Sequence, residues 1–329
     1  MIHVIGAGVA GLAAALDLAE AGHQVQLHEA APQAGGRARA LPDGTDNGTH
    51  ALVGANTAAL GLLKRVGAAW LEPEPAGLPV LDLRDGSARR IALSPFAWGN
   101  QALRPAGATL GAVATMASMA FGRDRPIAQV MARHPEFHRG FVDPLVIATL
   151  NTPSAEASSA RLGQVLRRLG GPGATRLYVA ERGLGPDLIE PTLAAIQRAG
   201  GAIRHGARLR RITQAGGRAT ALDFGEDAIT LGRDDRVVLA TPPWESQRLL
   251  THLDVPSAHA PIVNLHFART GPGPVRFVGL LDALCQWVLV RPAGVSVTVS
   301  AGDAEAGLQF EADEGEDAGE DAPGEVEIA

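Results

Sequence analysis

Short apolar runs separated by a longer alanine- and leucine-rich run open the chain. Residues 2–5 (IHVI) and 25–28 (VQLH) have the length and apolar content of buried strands. Between them, residues 12–19 (LAAALDLA) are strong helix formers, and Gly22 follows where a helix commonly ends. The pattern therefore predicts a strand, a helix and a second strand, which together form the first unit of a parallel α/β sheet.

Later apolar patterns predict further strands. Residues 235–244 carry a continuous apolar run that two prolines end, which is typical of a buried parallel strand. Residues 261–267 alternate between apolar and polar positions, as a half-buried strand does. Other strands are predicted as a hairpin of residues 80–83 and 90–93 around Asp85-Gly86, and in residues 207–212, 286–290 and 295–300.

The middle of the chain, residues 95–170, has the spacing of helices. Residues 154–169 predict a helix with one apolar face, capped by Thr152 or Ser154. Residues 106–121 are the most apolar segment, but they are too few and too small to predict a transmembrane helix. We expect a buried or membrane-apposed helix there. The helices of this region either line a tunnel for a long hydrocarbon or form ordinary core, and periodicity does not separate the two.

A glycine-rich turn, residues 6–11 (GAGVAG), joins the first predicted strand to the first helix. Gly6 permits a tight turn, Gly8 lets the backbone approach a pyrophosphate, and Gly11 lets the helix pack closely on the sheet. The positive end of the helix then faces the phosphates. The turn predicts dinucleotide binding, rather than a ligand-free strand–helix turn, through Gly6, Ala7, Gly8, Ala10 and Gly11.

An acidic residue, Glu29, ends the second predicted strand. Its carboxylate is expected to accept hydrogen bonds from ribose hydroxyls, and its charge disfavours the 2′-phosphate of NADP. The turn and Glu29 leave NAD and FAD open.

Two later motifs carry a family resemblance. Residues 35–37 (GGR) are either a solvated basic loop or a cofactor contact, and they resemble the extended motif of the flavoprotein amine oxidase and phytoene desaturase superfamily. Residues 46–54 (DNGTHALVG) resemble the hydroxysqualene dehydroxylases within it. The resemblance implies FAD as the cofactor, contacted by Gly36, Arg37 and Gly48 and by a backbone group near Leu209.

The resemblance also implies a domain organisation. A Rossmann-like FAD-binding domain of the α/β class is expected in residues 1–75 and 176–250. An inserted α+β substrate domain is expected in residues 76–175 and 251–303. The resemblance stops after residue 303, before a second cofactor-binding segment of the family, so we expect a truncated or altered C-terminus. Residues 304–329 are acidic and glycine-rich, which predicts a disordered tail.

Composition narrows the class of protein further. The chain has 329 residues, enough for about two domains, and its one cysteine, Cys285, allows neither a disulfide framework nor a cysteine-based metal site. No metal site is predicted, and a cytoplasmic setting is expected.

Charge is unevenly distributed along the chain. Residues 311–329 hold nine of the 35 acidic residues, which leaves 26 against 29 basic residues before them. This mild excess does not indicate nucleic-acid binding, but it is compatible with contact at the inner face of an anionic membrane. The oligomeric state is left open.

The resemblance implies reductive removal of the hydroxyl of hydroxysqualene, giving squalene for hopanoid synthesis, with a hydrophobic isoprenoid as the substrate. His50 is the candidate acid, although the sequence favours a packing or flavin-contacting histidine, because no partner residue can be named. Two other functions stay open. One is a carotenoid-type desaturase or amine oxidase of the same superfamily, and the other is a truncated, non-catalytic flavin-binding protein.

Overall fold

The computed structural model describes residues 1–42, 44–68, 70–269, 271, 273–300 and 327–328. The strands, in chain order, are β1 Ile2–Ile5, β2 Val25–His28, β3 Ala51–Val53, β4 Leu78–Asp82, β5 Ser87–Ile91, β6 Leu177–Val179, β7 Ala202–Arg204, β8 Arg211–Ala215, β9 Arg218–Asp223, β10 Ala228–Thr230, β11 Arg236–Leu239, β12 Val263–Ala268, β13 Arg276–Leu281, β14 Trp287–Arg291, β15 Gly294–Val299 and β16 Glu327–Ile328. The α-helices are α1 Val9–Glu20, α2 Thr57–Arg65, α3 Leu110–Ser118, α4 Ile127–Met131, α5 Pro135–Phe137, α6 Asp143–Leu150, α7 Ser159–Leu169, α8 Glu190–Arg198 and α9 Pro243–Leu249.

The chain forms two compact units. The first unit comprises residues 1–47, 58–70 and 182–259, and the second comprises residues 48–57, 71–181 and the described residues from 260 onward.

A parallel four-stranded sheet in the order β11-β1-β2-β7 is the centre of the first unit. Val4 pairs with Leu27, and both are fully buried. Helix α1 packs against β1, β2 and α8 through Leu12 and Leu16, which are also buried. Strand, helix and parallel strand therefore follow one another as the sequence predicts, and the unit is Rossmann-like.

An antiparallel three-stranded sheet, β10-β9-β8, accompanies the parallel sheet in the first unit. Side chains alternate along a strand, so Ile5 and its pairing partner His28 point away from the Val4 face. Ile5 belongs to an apolar cluster with Leu222 and Phe224 of the antiparallel segment. The His28 ring stacks on Phe224 with ring centroids 4.8 Å apart. This imidazole is thus buried between the two sheets of the unit.

The second unit is built on a mixed seven-stranded sheet in the order β16-β12-β15-β14-β13-β4-β5. Its core includes an aromatic cluster in which the Trp98 ring packs edge-on against Phe137 and Phe141, with distances between ring centroids of 5.7 and 5.0 Å. The Trp98 indole Nε1–H donates to the carbonyl of Ala92 at 2.8 Å, so its one polar atom is satisfied in the core.

A buried acid fastens the sheet of the second unit to a helical turn. Asp82 at the end of β4 is 1% exposed and pairs in register with Leu281 of β13. Arg139 Nη1 donates to Asp82 Oδ2 at 2.8 Å and to Asp282 Oδ2 at 2.7 Å. Burial alone would raise the pKa of Asp82, but the hydrogen bonds from Arg139 and from the Arg84 backbone N–H, together with the charge of Arg139, outweigh burial and lower that pKa.

The predicted acidic tail falls almost wholly outside the described residues. Glu327–Ile328 form β16, which pairs antiparallel with β12. The prediction of disorder for residues 304–329 stays a prediction. Within the described part of the chain, no helix has both the length and the apolar character needed to cross a membrane.

Candidate functional site

The turn between β1 and α1 can be built only with glycine at two of its positions. Gly6 has a φ of +99°, and a Cβ there would lie 2.8 Å from the carbonyl oxygen of Ala240. A Cβ on Gly11 would lie 1.8 Å from the carbonyl oxygen of Gly6, well inside van der Waals contact. The two glycines therefore let the helix start directly on top of the strand end.

Gly8 is different, because it has space around it. It is the N-cap residue of α1, it has ordinary φ and ψ, and a Cβ there would meet nothing within 4 Å. Its carbonyl accepts from Leu12 N at 2.9 Å, and no side chain caps the helix. Ala10, in the first turn, is exposed. The open N-terminus of α1 thus presents backbone N–H groups and positive dipole character beside free space, as an anion site requires.

Glu29 lies directly beside this turn. Its Oε2 accepts from Ala7 N at 2.6 Å and its Oε1 from Ala31 N at 2.8 Å. An ionised carboxylate has about four acceptor positions, so two are left for other donors. The sequence prediction that an acid stands next to the glycine turn agrees with this geometry.

The 35–37 loop packs on the same turn. Gly35 N donates to Ala7 O at 2.8 Å, and Gly35 and Gly8 form a parallel bridge. A Cβ on Gly36 would lie 3.2 Å from the Cα of Gly8. Arg37 follows in a short 3₁₀ turn, Gly36–Ala38, and its residue is exposed. The glycine turn of residues 6–11 and the loop of residues 35–37 are separate in the sequence but form one surface in the structure.

Leu209 also lies in this unit, but not in the predicted strand. Residues 207–210 form a loop, and β8 begins only at Arg211, so the strand prediction for 207–212 is wrong in its first part. Ala207 N donates to Glu29 O at 2.7 Å, while the carbonyl of the buried Leu209 accepts from Arg248 Nη2 at 2.7 Å. The Leu209 carbonyl is thus satisfied by the Arg248 side chain of α9 and not by a backbone hydrogen bond to a neighbouring strand.

Gly48 and His50 belong to the second unit, and His50 lies at the wall of a cavity of about 520 Å³. The lining is mainly apolar. Its larger side chains come from the sheet, from the helical turn of residues 138–142 and from α6 and α7: Leu78, Val80, Ile91, Phe141, Leu145, Val165, Leu169, Phe277, Leu281 and Trp287. The described lining contains no Asp or Glu, and Arg168 is its one Lys or Arg side chain. The cavity suits a long, uncharged molecule.

Hydrogen bonds fix the orientation of His50. Its Nδ1 lies 3.0 Å from the carbonyl oxygen of Gly48. Because a carbonyl only accepts, Nδ1 must carry the proton, and Nε2 is the atom left for other partners.

A buried amide, Asn264 of β12, holds the neighbouring residue. Asn264 Oδ1 accepts from Thr49 N at 3.2 Å and from Thr298 Oγ1 at 2.8 Å. The Thr49 hydroxyl oxygen is buried without a hydrogen-bond partner among the described atoms. Sequence reasoning gave these three residues no role. The signal that could have found them is a single asparagine at an inward position of an apolar, alternating strand.

The described residues contain no group of three or more His, Cys, Asp or Glu side chains placed to hold a metal ion.

Comparison with known proteins gives one family. Residues 9–271 match the profile of the family described as flavin containing amine oxidoreductase. The hydroxysqualene dehydroxylase of Rhodopseudomonas palustris is 36% identical over 319 residues, covering 92% of this chain and 76% of that protein. The hydroxysqualene dehydroxylase of Sinorhizobium fredii is 32% identical over 317 residues, with 92% and 76% covered.

Solved structures share the fold. The crystal structure of an oxidoreductase from Methanosarcina mazei superposes with a TM-score of 0.68 at 16% identity. The match covers 92% of this chain and 79% of that chain.

Proposed function

Because the chain belongs to the flavin-containing amine oxidoreductase family and, within it, to the hydroxysqualene dehydroxylases, we propose that it converts hydroxysqualene reductively to squalene. It is an oxidoreductase, and its cofactor is FAD. We assign cofactor binding to the first unit and substrate binding to the second.

The residues of the first unit fit FAD. Space at Gly8 lies beside the uncapped N-terminus of α1, which suits a pyrophosphate. Glu29 keeps acceptor positions for ribose hydroxyls, and the exposed Arg37 adds positive charge on the same surface. We propose that these residues, with Gly6, Ala7, Ala10, Gly11, Gly36 and the Leu209 loop, hold the cofactor. The cofactor contact of Gly48 that the family resemblance implies stays a prediction.

The proposed reaction replaces a C–O bond by a C–H bond. FAD, when bound and reduced, supplies the hydride equivalent. The oxygen leaves as water, so it must take up a proton as the C–O bond breaks. The chain therefore has to bind a long isoprenoid, keep water away from the reacting carbon and deliver that proton.

The single observation that carries the proposal is the apolar cavity of the second unit. Its volume of about 520 Å³ and its nearly uncharged wall suit a hydrocarbon chain, and the absence of acids from its described lining disfavours a cationic amine. We propose that His50, in its doubly protonated form, delivers the proton from Nε2 and keeps the Nδ1–H that donates to Gly48.

The test is a comparison of three substrate classes. The purified chain is loaded with FAD, reduced under anaerobic conditions and incubated with hydroxysqualene; oxidised enzyme is incubated in parallel with phytoene and with a primary amine. We expect the enzyme to form squalene from hydroxysqualene and to leave phytoene and the amine unconverted. Turnover of phytoene or the amine would favour the alternative chemistries, and flavin-loaded protein that changes none of the three would make this a non-catalytic flavoprotein.

We propose further that the squalene serves hopanoid synthesis and that the chain works at the cytoplasmic face of the inner membrane. The lone Cys285 and the mildly basic residues before the acidic tail support this location. Deleting the gene should remove hopanoids from a lipid extract and leave hydroxysqualene to accumulate. Normal hopanoid content in the deletion strain would contradict the assignment.

A further inference from the structure

Helix α3 of the second unit is apolar on two opposite faces. Its inward face, Ala112, Met116 and the following Met119, is at most 4% exposed and belongs to the core. No charged residue occurs between positions 105 and 122. A helix that is apolar all round is normally buried, so the outward face of α3 needs an explanation.

The outward face is almost completely exposed. Leu110 is 92% exposed and Phe121 is 88% exposed, which are the highest values among the large apolar side chains of the described residues. Ala114 and Ala117, at helical spacing between them, are exposed as well. The chain keeps turning after the helix, because Phe121 N donates to Ser118 O at 3.1 Å. These four residues form the outer stripe of α3.

Arginines gather where the stripe ends. Arg123 and Arg125 are exposed, and Arg167 of α7 donates through Nη1 to the carbonyl of Ala120. The one acid among them, Asp124, is engaged in capping α7, since its Oδ1 accepts from Ser158 Oγ at 2.7 Å and from Ala160 N at 3.1 Å. The C-terminal end of the stripe is therefore positively charged.

We propose that the outer stripe of α3 inserts into one leaflet of an anionic lipid bilayer while Arg123, Arg125 and Arg167 bind its headgroups. Exposed Leu and Phe beside a cluster of basic residues are the features of interfacial membrane helices. A second copy of this chain fits less well, because its own stripe and the residues around it, 105–122, contain no acid to pair with the three arginines. The acidic tail, residues 311–329, fits poorly too, because it has only Val326 and Ile328 as large apolar residues.

Helix α7 connects the outer stripe of α3 with the cavity. α7 packs tightly on the end of α3, since a Cβ on Gly163 would lie 2.2 Å from the carbonyl oxygen of Met119. The same helix contributes Val165 and Leu169 to the cavity wall. If the proposed function holds, on which this step rests, seating α3 in the bilayer brings the cavity wall close to the phase that holds an isoprenoid substrate.

Vesicle sedimentation of the full chain tests the proposal without any turnover. We expect the protein to sediment with vesicles of phosphatidylcholine and phosphatidylglycerol in equal parts, and less with phosphatidylcholine alone. The variant Leu110→Ser/Phe121→Ser should bind at least about tenfold more weakly, because two large apolar side chains no longer insert. Arg123→Gln/Arg125→Gln should lose about fivefold for each arginine removed.

Leu284→Ser is the matched control, because Leu284 is 62% exposed and lies outside the stripe. It should bind vesicles like the wild type, and circular dichroism should show all variants folded. Wild-type protein that stays in the supernatant, or a double serine variant that binds unchanged, would overturn the proposal. So would a dimer, seen by analytical ultracentrifugation, that the double serine variant dissociates while vesicles bind neither protein.

Discussion

The carboxylate of Glu29 stands out among single residues because two backbone N–H groups of different loops converge on it. We expect Glu29→Gln to weaken FAD binding by tenfold or more, since a neutral amide accepts fewer and weaker hydrogen bonds than a carboxylate and turns an NH₂ group toward one N–H. A flavin fluorescence titration measures the change. Glu20→Gln is the matched control: Glu20 forms an exposed ion pair with Arg65, whose loss should leave FAD affinity unaltered.

Substitution of His50 distinguishes a catalytic role of its side chain from a packing role. Because its Nδ1–H already bonds Gly48, His50→Gln can keep that contact and lose only the imidazole Nε2. We expect kcat for hydroxysqualene to fall by about 10²- to 10⁴-fold, the range of a lost general acid, with FAD affinity retained. Steady-state kinetics across pH provide the measurement. An unchanged kcat would leave His50 a packing residue.

The local motifs of the first unit could be predicted from sequence because each constraint acts within a few residues. Gly11 must be glycine because its own neighbour, Gly6, occupies the place of a Cβ. The contact of Gly35 with Ala7 could be expected only through family resemblance. Asn264 escaped prediction because its partners, Thr49 and Thr298, lie far from it in the chain.

Among elements, the junction of β4, β13 and the helical turn 138–142 depends on the Arg139–Asp82 pair. We expect Arg139→Gln to lower the free energy of unfolding by about 3 kcal/mol, because the buried Asp82 charge loses its shorter ion pair and keeps only Arg84. Urea denaturation measures this. Adding Asp82→Asn to Arg139→Gln should restore part of the loss, and a double variant no more stable than the single one would contradict the pairing argument.

The strands and helices of the second unit also show which elements a sequence pattern can predict. The hairpin of β4 and β5 around Asp85-Gly86 is confirmed, because turn and strands are local. β13 was not predicted: it pairs with β4 about 200 residues earlier, and Gly279 interrupts its apolar pattern. Helix α7 starts later than expected. Ser158 caps it, while Ser154 is buried and bonded to His138.

At the scale of the whole molecule, the stacking of two sheets in the first unit makes stability depend on pH. Burial, then His3, then Arg204 lower the pKa of His28 to about 4, below the usual 6.5. Its stabilising effect is therefore complete above about pH 6.5 and is lost as the pH falls toward 4.

The corresponding measurement compares unfolding free energies at pH 7 and pH 5. Between pH 7 and pH 5 the free energy of unfolding of the wild type should fall by about 2 kcal/mol more than that of His28→Gln, which has no titrating group at position 28. Equal losses in both proteins would show that the imidazole does not remain neutral in the folded state.

The cavity of the second unit is also a property of the whole chain. Its wall combines residues 49–56, the helices of 140–169 and strands beyond 260, so no local pattern could specify its volume. The sequence left a hydrocarbon tunnel and an ordinary core as equal readings for residues 95–170. The structure has ordinary core and an apolar cavity in this region, since α3 and α4 supply core residues while α6 and α7 also line the cavity; its use as a hydrocarbon tunnel stays a prediction.

The central claim, that the first unit holds FAD at the α1 N-terminus, is tested most directly by titrating FAD against two alanine variants. Neither Gly8→Ala nor Gly61→Ala brings a Cβ within 4 Å of another atom, so both should fold. Gly8→Ala fills the space in which we propose that the pyrophosphate lies, and Gly61→Ala only improves an exposed helix position. We predict tight FAD binding by the wild type and Gly61→Ala, and a loss of at least about tenfold in Gly8→Ala. Equal FAD affinity in all three proteins, or none in the wild type, would contradict the account.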